Sequence, residues 1–237
     1  MNIAGSVALV TGANRGLGAR FAAELVGRGA AKVYAAARDP DSIEVEGVEV
    51  LALDVLDQAS VEAAARVAGD VTLLVNNAGV STRQDLVRGD LAGVRREMET
   101  NFFGTLAVTR AFADVLGAHG GGAVVNVLSA LSFFSVPGAT SYSASKAAEW
   151  SLTAGTRVEL AAQGTQVLGL HLGGADTDMM AGYDGPLLDP LDVVRAALDG
   201  LEAGQVEVLV DDWSRMTKAG VAEDPEAFYA RAAAVLA

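Results

Sequence analysis

Short apolar segments rich in β-branched residues alternate along this chain with longer segments rich in Ala and Leu. The short segments are continuously apolar and do not alternate with polar residues, which is typical of strands buried on both faces. Such strands form parallel sheets whose connecting helices cover both faces. The pattern therefore predicts an α/β fold built on one doubly wound parallel sheet of about seven strands.

The predicted strands are residues 7–10, 32–36, 48–53, 72–75, 123–128, 166–171 and 206–210. The predicted helices are residues 17–28, 60–68, 91–118, 141–162 and 190–203. The tail, residues 213–237, is predicted to add one or two helices that pack on the end of the sheet. No Pro- or Ser-rich linker, repeat or low-complexity tract divides the chain, so residues 1–237 are predicted to form a single domain.

Composition narrows the range of functions. The net charge of −13 argues against a nucleic-acid partner, because such proteins need clusters of Lys and Arg. The chain has no Cys, and His119 and His171 are far apart, so neither thiol chemistry nor a metal site is expected. No signal-peptide pattern opens the chain, and its most apolar window, residues 123–139, is too polar to cross a bilayer. We therefore expect a cytoplasmic protein with no membrane partner.

The first predicted strand ends in T-G-A-N-R-G-L-G, with Gly12, Gly16 and Gly18 ahead of a helix. Parallel sheets of this kind bind ligands at the carboxyl ends of their strands. Glycines at such a turn let the backbone approach a phosphate closely, and the helix N-terminus offers free N–H groups. The spacing differs from G-x-G-x-x-G, so a purely structural turn is the alternative.

Two arginines stand at neighbouring strand ends. The second strand ends in A-A-A-R-D, with Ala37 and Arg38 where an NAD-binding protein would carry an acidic residue for the ribose hydroxyl. Together with Arg15 in the glycine turn, Arg38 could bind a ribose phosphate through its planar guanidinium. The pair predicts NADP over NAD; two solvated surface arginines are the alternative.

Tyr142 and Lys146 stand four residues apart in the Y-S-A-S-K that ends the segment of residues 129–146. On a helix their side chains are adjacent. A phenol has a pKa of about 10, and a neighbouring ammonium lowers that pKa, so Tyr142 could exchange protons at neutral pH. Such a pair also arises by chance, and alone it predicts little.

Taken together, these motifs resemble the short-chain dehydrogenase/reductase (SDR) family from residue 7 to about residue 180. Further motifs similar to the family's are L-D-V at residues 53–55, N-N-A-G at residues 76–79 and the asparagine of N-F-F-G. The resemblance implies a Rossmann-like fold and cofactor contacts from Gly12, Asn14, Arg15, Gly16, Leu17, Gly18, Arg38, Asp54, Val55, Asn77, Ala78, Gly79, Tyr142, Lys146, Ala175 and Thr177.

The resemblance also implies a catalytic set of Asn101, Ser129, Tyr142 and Lys146. In that family Tyr142 would exchange a proton with the substrate oxygen, and Ser129 would stabilise charge on that oxygen. Lys146 would lower the pKa of Tyr142 and bind the nicotinamide ribose, and Asn101 would hold a relay water. The implied enzyme is an NADPH-dependent carbonyl reductase acting on a small-molecule ketone, aldehyde or alcohol.

One segment departs from the family pattern. After the sixth strand the chain reads H-L-G-G-A-D-T-D-M, with Leu172 where the family usually has Pro and Ala175 where a larger apolar residue is common. Gly173 and Thr177 remain. Without the proline we expect a less rigid loop.

The residues expected to face the substrate are mostly apolar: Val80, Leu131, Phe133, Phe134, Val136, Met179, Met180 and Tyr183. They favour a hydrophobic substrate beneath a short substrate loop, residues 178–189. The alternative for Phe133 and Phe134 is packing in the core or at a subunit contact. A second hypothesis for the whole protein is a dinucleotide-binding sensor or scaffold without turnover. By resemblance, we expect a homo-oligomer, a tetramer or dimer, that pairs through residues 91–118 and 141–162.

Overall fold

The structure is a computed structural model that describes residues 1–236, with side chains described for residues 1–233. Within that range the strands are β1 (Val7–Thr11), β2 (Lys32–Ala37), β3 (Glu49–Ala52), β4 (Leu73–Asn76), β5 (Ala123–Val127), β6 (Gln166–His171) and β7 (Glu207–Leu209). The α-helices are α1 (Gly16–Gly27), α2 (Gln58–Val67), α3 (Leu91–Glu97), α4 (Thr105–Ala118), α5 (Thr140–Glu159), α6 (Pro190–Glu202), α7 (Asp212–Gly220) and α8 (Pro225–Leu236).

All seven strands pair in parallel in the order β3-β2-β1-β4-β5-β6-β7. The chain first builds the sheet outward from β1 to β3 and then returns to add β4 on the other side of β1. This reversal opens a crevice at the carboxyl ends of β1 and β4, which is where such sheets bind ligands. The predicted Rossmann-like, doubly wound fold is confirmed.

Two apolar layers hold the helices to the sheet. On one face, α1 and α6 pack over residues such as Val10, Val75 and Val125. On the other face, α2 and α4 pack over residues such as Leu9 and Leu74. Both faces of the central strands are thus removed from water, which is why these strands are continuously apolar in the sequence.

The helix predicted over residues 91–118 is interrupted. The chain is α-helical in α3, forms a π-helical segment over Met98–Gly104 and returns to α-helix in α4. Apolar periodicity cannot reveal this change, because it depends on which carbonyl each N–H selects. Such segments are frequent at functional sites.

The C-terminal segment forms the two helices α7 and α8. Phe228 of α8 is buried against Phe134, and Trp213 of α7 packs against the same cluster. The last residue of the predicted tail, residue 237, lies outside the described residues. Within residues 1–236, no helix combines the length and apolarity needed to cross a bilayer.

Candidate active site

The turn between β1 and α1 lets backbone segments approach very closely. A Cβ atom added at Gly18 would lie 2.1 Å from the carbonyl oxygen of Gly12, so only glycine fits there. Among the described residues, no side chain caps the start of α1 at Arg15, and the first turn of this helix has no acidic residue. By contrast, Asp57 caps α2 with its carboxylate. The free N–H groups and the positive end of α1 thus suit an anionic ligand such as a pyrophosphate.

The end of β4 forms the other wall of this crevice. The side-chain amide of Asn77 donates to the carbonyl oxygens of Thr11, at 2.9 Å, and Gly12, at 3.2 Å. The Thr11 hydroxyl accepts from the backbone N–H groups of Asn77 and Ala78, both at 3.0 Å. These four bonds fix the glycine turn against β4.

Both predicted phosphate-binding arginines are exposed at the carboxyl edge of the sheet. Arg15 pairs with Asp178 at 3.4 Å, and the two side chains are 72% and 76% exposed. An ion pair this exposed is weak, so the Arg15 guanidinium can change partner at little cost. Arg38 directly follows β2. The end of β2 is bonded to the glycine turn, because the Ala13 N–H donates to the Ala36 carbonyl oxygen at 3.0 Å.

The loop after β6 is held from both sides although Leu172 replaces the family's proline. The Leu172 carbonyl accepts from the Ala130 N–H at 2.7 Å. The Gly173 N–H donates to the Asp211 carboxylate at 3.0 Å. These bonds tether the loop at both Leu172 and Gly173.

The next residues of this loop approach the glycine turn. A Cβ atom on Gly16 would lie 3.5 Å from the Thr177 methyl group, so the two positions face each other. The Thr177 hydroxyl donates to the Ala175 carbonyl at 3.3 Å, and Ala175 forms an isolated bridge with Leu188. The structure therefore brings Thr177 to the predicted cofactor turn.

The remaining predicted cofactor positions lie in the loop after β3 and in the glycine turn. Asp54 accepts a hydrogen bond from its own loop at 3.0 Å, and Val55 packs beside Gly104. Asn14 is half-buried in the glycine turn, and Leu17 packs against the core beneath α1.

Ser129 follows β5 at the same edge, and its hydroxyl lies within hydrogen-bonding reach of Tyr142. Its Oγ accepts from the Leu131 N–H at 3.1 Å, and its carbonyl accepts from His171 Nδ1 at 3.1 Å. A hydroxyl has one proton to donate, and neither bond uses it. The proton is directed at the Tyr142 oxygen, so the Ser129 and Tyr142 hydroxyls lie side by side at this edge.

Tyr142 and Lys146 lie on adjacent turns of α5, as the spacing predicted. Lys146 is buried, and its Nζ lies 5.9 Å from the Tyr142 ring centre. The ammonium donates to the Val127 carbonyl at 2.8 Å and to the Glu149 carboxylate at 2.6 Å. Lys146 is thus anchored to both β5 and its own helix.

The electrostatics of Tyr142 differ from the simple expectation. Burial, the largest effect, raises the pKa of Tyr142; the Lys146 ammonium lowers that pKa, Glu149 raises it and the Ser129 hydroxyl lowers it. The net pKa is above the ordinary value of a phenol. Lys146 acts in the predicted direction but is outweighed, because desolvation penalises the phenolate.

Asn101 lies fully buried in the π-helical segment. Its side chain donates to the Val80 carbonyl at 3.0 Å and to the Ser145 hydroxyl at 2.9 Å, and it accepts from the Val80 N–H at 2.8 Å. A Cβ atom on Gly79 would lie 3.2 Å from Asn101 Oδ1 and 3.8 Å from Lys146 Nζ. The predicted positions Gly79, Asn101 and Lys146 therefore converge.

Sequence reasoning missed two buried carboxylates beside this group. Glu149 is 1% exposed and binds Lys146, three residues earlier on α5. Glu97 is fully buried; it accepts from the Thr82 N–H at 2.5 Å and from the Ser141 hydroxyl. The available signal was an acidic residue one helical turn after Lys146.

Phe133 and Phe134 pack against other aromatic residues, which is the alternative to facing the substrate. Phe134 is 6% exposed, and its ring centre lies 5.3 Å from that of Phe228. Phe133 stacks on His171, with ring centres 4.4 Å apart, and meets Trp150 edge-on. Both rings therefore support the elements behind Ser129 and the C-terminal helices.

Comparisons with known proteins agree with this arrangement. A sequence model described as short chain dehydrogenase matches residues 6–185. An uncharacterized oxidoreductase of Staphylococcus saprophyticus is 32% identical over 213 residues, which cover 83% of this chain and 91% of that protein.

Two solved structures extend the comparison. A short chain dehydrogenase from Burkholderia cenocepacia in complex with NADP has a TM-score of 0.93 and 40% identity, and the match covers 98% of each chain. A 3-ketoacyl-(acyl-carrier-protein) reductase from Brucella melitensis complexed with NADH has a TM-score of 0.82 and 28% identity, over 88% of this chain and 98% of that one.

Proposed function

The chain belongs to the short-chain dehydrogenase family of oxidoreductases, and from that premise we propose that it is an NADPH-dependent carbonyl reductase. It would interconvert a hydrophobic ketone or aldehyde and the corresponding alcohol. The observation that carries this proposal is the grouping of Ser129, Tyr142 and Lys146 at the carboxyl edge of the sheet, with the Ser129 hydroxyl hydrogen-bonded to Tyr142 and the Lys146 ammonium 5.9 Å from the Tyr142 ring centre.

The residues around the crevice fit a dinucleotide. The uncapped start of α1 would bind the pyrophosphate, and Arg15 and Arg38 would bind a ribose phosphate. Lys146 would bind the nicotinamide ribose, and Ala175 and Thr177 would bind the carboxamide. The cofactor, when bound, supplies the hydride. The preference for NADP is supported by the arginines and by the NADP complex at 40% identity.

The chain's own residues would handle the proton and the developing charge. The Tyr142 hydroxyl would give its proton to the substrate oxygen in reduction and take it back in oxidation. The Ser129 hydroxyl would donate a hydrogen bond to the same oxygen as it becomes negative. The Lys146 ammonium would stabilise the phenolate left on Tyr142. Asn101 would hold a water that returns a proton through Lys146.

The loop over this edge supports the proposed substrate class. Met179 and Tyr183 are 43% and 46% exposed, so the substrate loop offers apolar surface. The Arg83 guanidinium is already engaged, because it donates to the carbonyls of Met179, at 3.2 Å, and Ala181, at 2.8 Å. A hydrophobic ketone, aldehyde or secondary alcohol suits such a surface better than a carboxylate or phosphate.

The direct test is to measure turnover of a panel of aryl and alkyl ketones. Turnover is monitored as the loss of reduced-nicotinamide absorbance, once with NADPH and once with NADH. We expect turnover with hydrophobic ketones and a preference for NADPH. Tight NADPH binding without turnover on any ketone, aldehyde or alcohol would instead favour the dinucleotide-binding sensor.

The role of Tyr142 is tested by Tyr142→Phe, which removes only the hydroxyl. We expect kcat to fall by at least about 100-fold, because positioned proton transfer contributes that much, with NADPH affinity nearly unchanged. Tyr34→Phe is the matched control, since the Tyr34 hydroxyl bonds Asp70 at the opposite edge of the sheet. Near-normal activity of Tyr142→Phe would refute the proton-donor role.

The cofactor preference is tested by Arg38→Asp. We expect the ratio of kcat/KM for NADPH to that for NADH to fall by about tenfold or more, because a charge-assisted bond to phosphate is lost. Arg66→Asp, on the exposed side of α2, is the control for the same change in net charge. An unchanged ratio would remove Arg38 from the phosphate site.

We also propose that two copies pair through α4 and α5. A shallow groove between these helices is lined by Leu106, Ala148 and Leu152, and Val158 on α5 is 77% exposed. Small and apolar residues on such a face allow helices of two subunits to pack closely. Light scattering should give a dimer or tetramer, and Val158→Glu should shift it toward the monomer.

A further inference from the structure

A buried carboxylate touches the lysine of the candidate active site. Glu149 is 1% exposed, and its Oε2 lies 2.6 Å from Lys146 Nζ. The Thr105 hydroxyl on α4 donates to the other carboxylate oxygen at 3.3 Å. Glu149 is therefore held by groups on two helices, Lys146 on α5 and Thr105 on α4.

Packing alone does not explain an acidic residue at this position. A buried charge loses its hydration, and an apolar side chain of similar size would fill the same space without that cost. Burial raises the pKa of the Glu149 carboxyl, whereas the Lys146 ammonium and the Thr105 hydroxyl act in the opposite direction and favour its charged form. The observation therefore calls for a role that involves Lys146 itself.

The geometry gives Glu149 such a role. The Lys146 ammonium has three protons to donate. One proton goes to the Val127 carbonyl and a second to Glu149. The third is left for the side on which Gly79 lies; a Cβ atom added to Gly79 would be 3.8 Å from Lys146 Nζ. Two fixed bonds thus determine the direction of the third.

Charge adds a second consequence. The ammonium favours the phenolate form of Tyr142, and a carboxylate 2.6 Å behind the ammonium acts against that effect. We propose that Glu149 is a positioning residue: it fixes the direction of the Lys146 ammonium and offsets part of the positive charge that Tyr142 experiences. This inference rests on the proposed function, because it assigns Tyr142 and Lys146 their roles in proton transfer.

Other charged groups around Tyr142 set the background for this effect. Glu97, from α3, also raises the pKa of Tyr142. His171, on β6, is fully buried, and burial lowers its pKa to about 4, so its ring is neutral near neutral pH. Removing the charge of Glu149 alone should leave these groups in place and lower the pKa of Tyr142.

The test is Glu149→Gln, which keeps the shape and removes the charge. We expect the midpoint of the pH profile of kcat/KM for alcohol oxidation to move down by about one pH unit. Glu62→Gln is the matched control, because Glu62 is an exposed carboxylate on α2 and its loss changes the net charge equally. Its midpoint should equal that of the wild type.

A second readout needs neither cofactor nor turnover. Tyrosinate absorbance of the free protein, minus that of Tyr142→Phe, reports the titration of Tyr142. Its midpoint should also fall in Glu149→Gln. This titration is independent of catalysis, so it still tests the role of Glu149 if the wild type reduces no ketone. That outcome would contradict the proposed function but not the role of Glu149.

Glu149→Asp guards against a Gln variant that does not fold. It keeps the charge but shortens the side chain by one methylene, so its midpoint should move in the same direction by a smaller amount. A midpoint that stays at the wild-type value in both variants, or in Glu149→Asp when it alone folds, would overturn the proposal. A shift to higher pH would do the same, because Glu149 would then serve only to keep Lys146 protonated.

Discussion

We expect His171 to destabilise the folded protein as the pH falls below neutral. His171 ends β6 and is fully buried. Its Nδ1 donates to the Ser129 carbonyl at 3.1 Å, its ring stacks on Phe133, and its Nε2 has no hydrogen-bond partner among the described residues. A protonated ring in this position would be a buried charge with one proton unbonded.

The size of the effect follows from the pKa of His171. Burial lowers this pKa from 6.5 to about 4, while Glu207, 3.6 Å from Nε2, acts in the opposite direction, and Lys218 and Lys146 lower it. Above the unfolded pKa both states are neutral, and the stability is independent of this group. Below the unfolded pKa, the histidine is protonated in the unfolded chain but stays neutral in the folded chain, so the free energy of unfolding falls as the pH falls.

The loss is about 2 kcal/mol at about pH 5 and approaches about 3 kcal/mol near the folded pKa, at about 1.4 kcal/mol per pH unit. Below the folded pKa the folded ring is protonated as well, and the loss stops growing. Most carboxylates titrate below about pH 5. Glu149 is an exception, because burial raises its pKa, so comparison with a variant that lacks the histidine is needed to isolate its effect.

Equilibrium urea unfolding measures this loss of stability. The unfolding is monitored by the fluorescence of Trp150 and Trp213 at a fixed protein concentration. The comparison protein is His171→Asn, because an Asn amide can donate to the Ser129 carbonyl but does not titrate. Between about pH 7 and about pH 5 the free energy of unfolding should fall by about 2 kcal/mol more in the wild type than in the variant. Parallel pH dependences for the two proteins would refute the reasoning.

Three further changes have definite expected outcomes. Gly18→Ala should abolish NADPH binding in a fluorescence titration, because the added methyl group collides with a carbonyl oxygen at 2.1 Å; Gly27→Ala, on the same helix with open space around it, should bind normally. Asp211→Ala should weaken NADPH binding, because the Gly173 N–H loses its partner; an unchanged Kd would contradict this. Phe112→Ala should lower the free energy of unfolding by about 3–5 kcal/mol in urea titrations, since this ring is fully buried, and a loss under about 1 kcal/mol would contradict it.

The sequence by itself determined the sheet and the local geometry of its turns. The apolar segments predicted seven parallel strands, and the structure has them; the central strands are buried on both faces, whereas the edge strands β3 and β7 are partly exposed. The roles of Gly18 in its turn and of the four-residue spacing from Tyr142 to Lys146 could also be predicted from the sequence. A turn or one helical face depends on neighbours in the chain, and these are written in the sequence.

Only the tertiary structure decided which charges meet. Glu149 becomes the partner of Lys146 because α5 is buried against α4 and β5, and His171 becomes an acid-sensitive residue because β6 ends behind Ser129. The π-helical turn around Asn101 likewise depends on its bonds to Val80 and on packing across the crevice. Desolvation and hydrogen bonds between distant segments set these properties, and neither can be evaluated until the chain is folded.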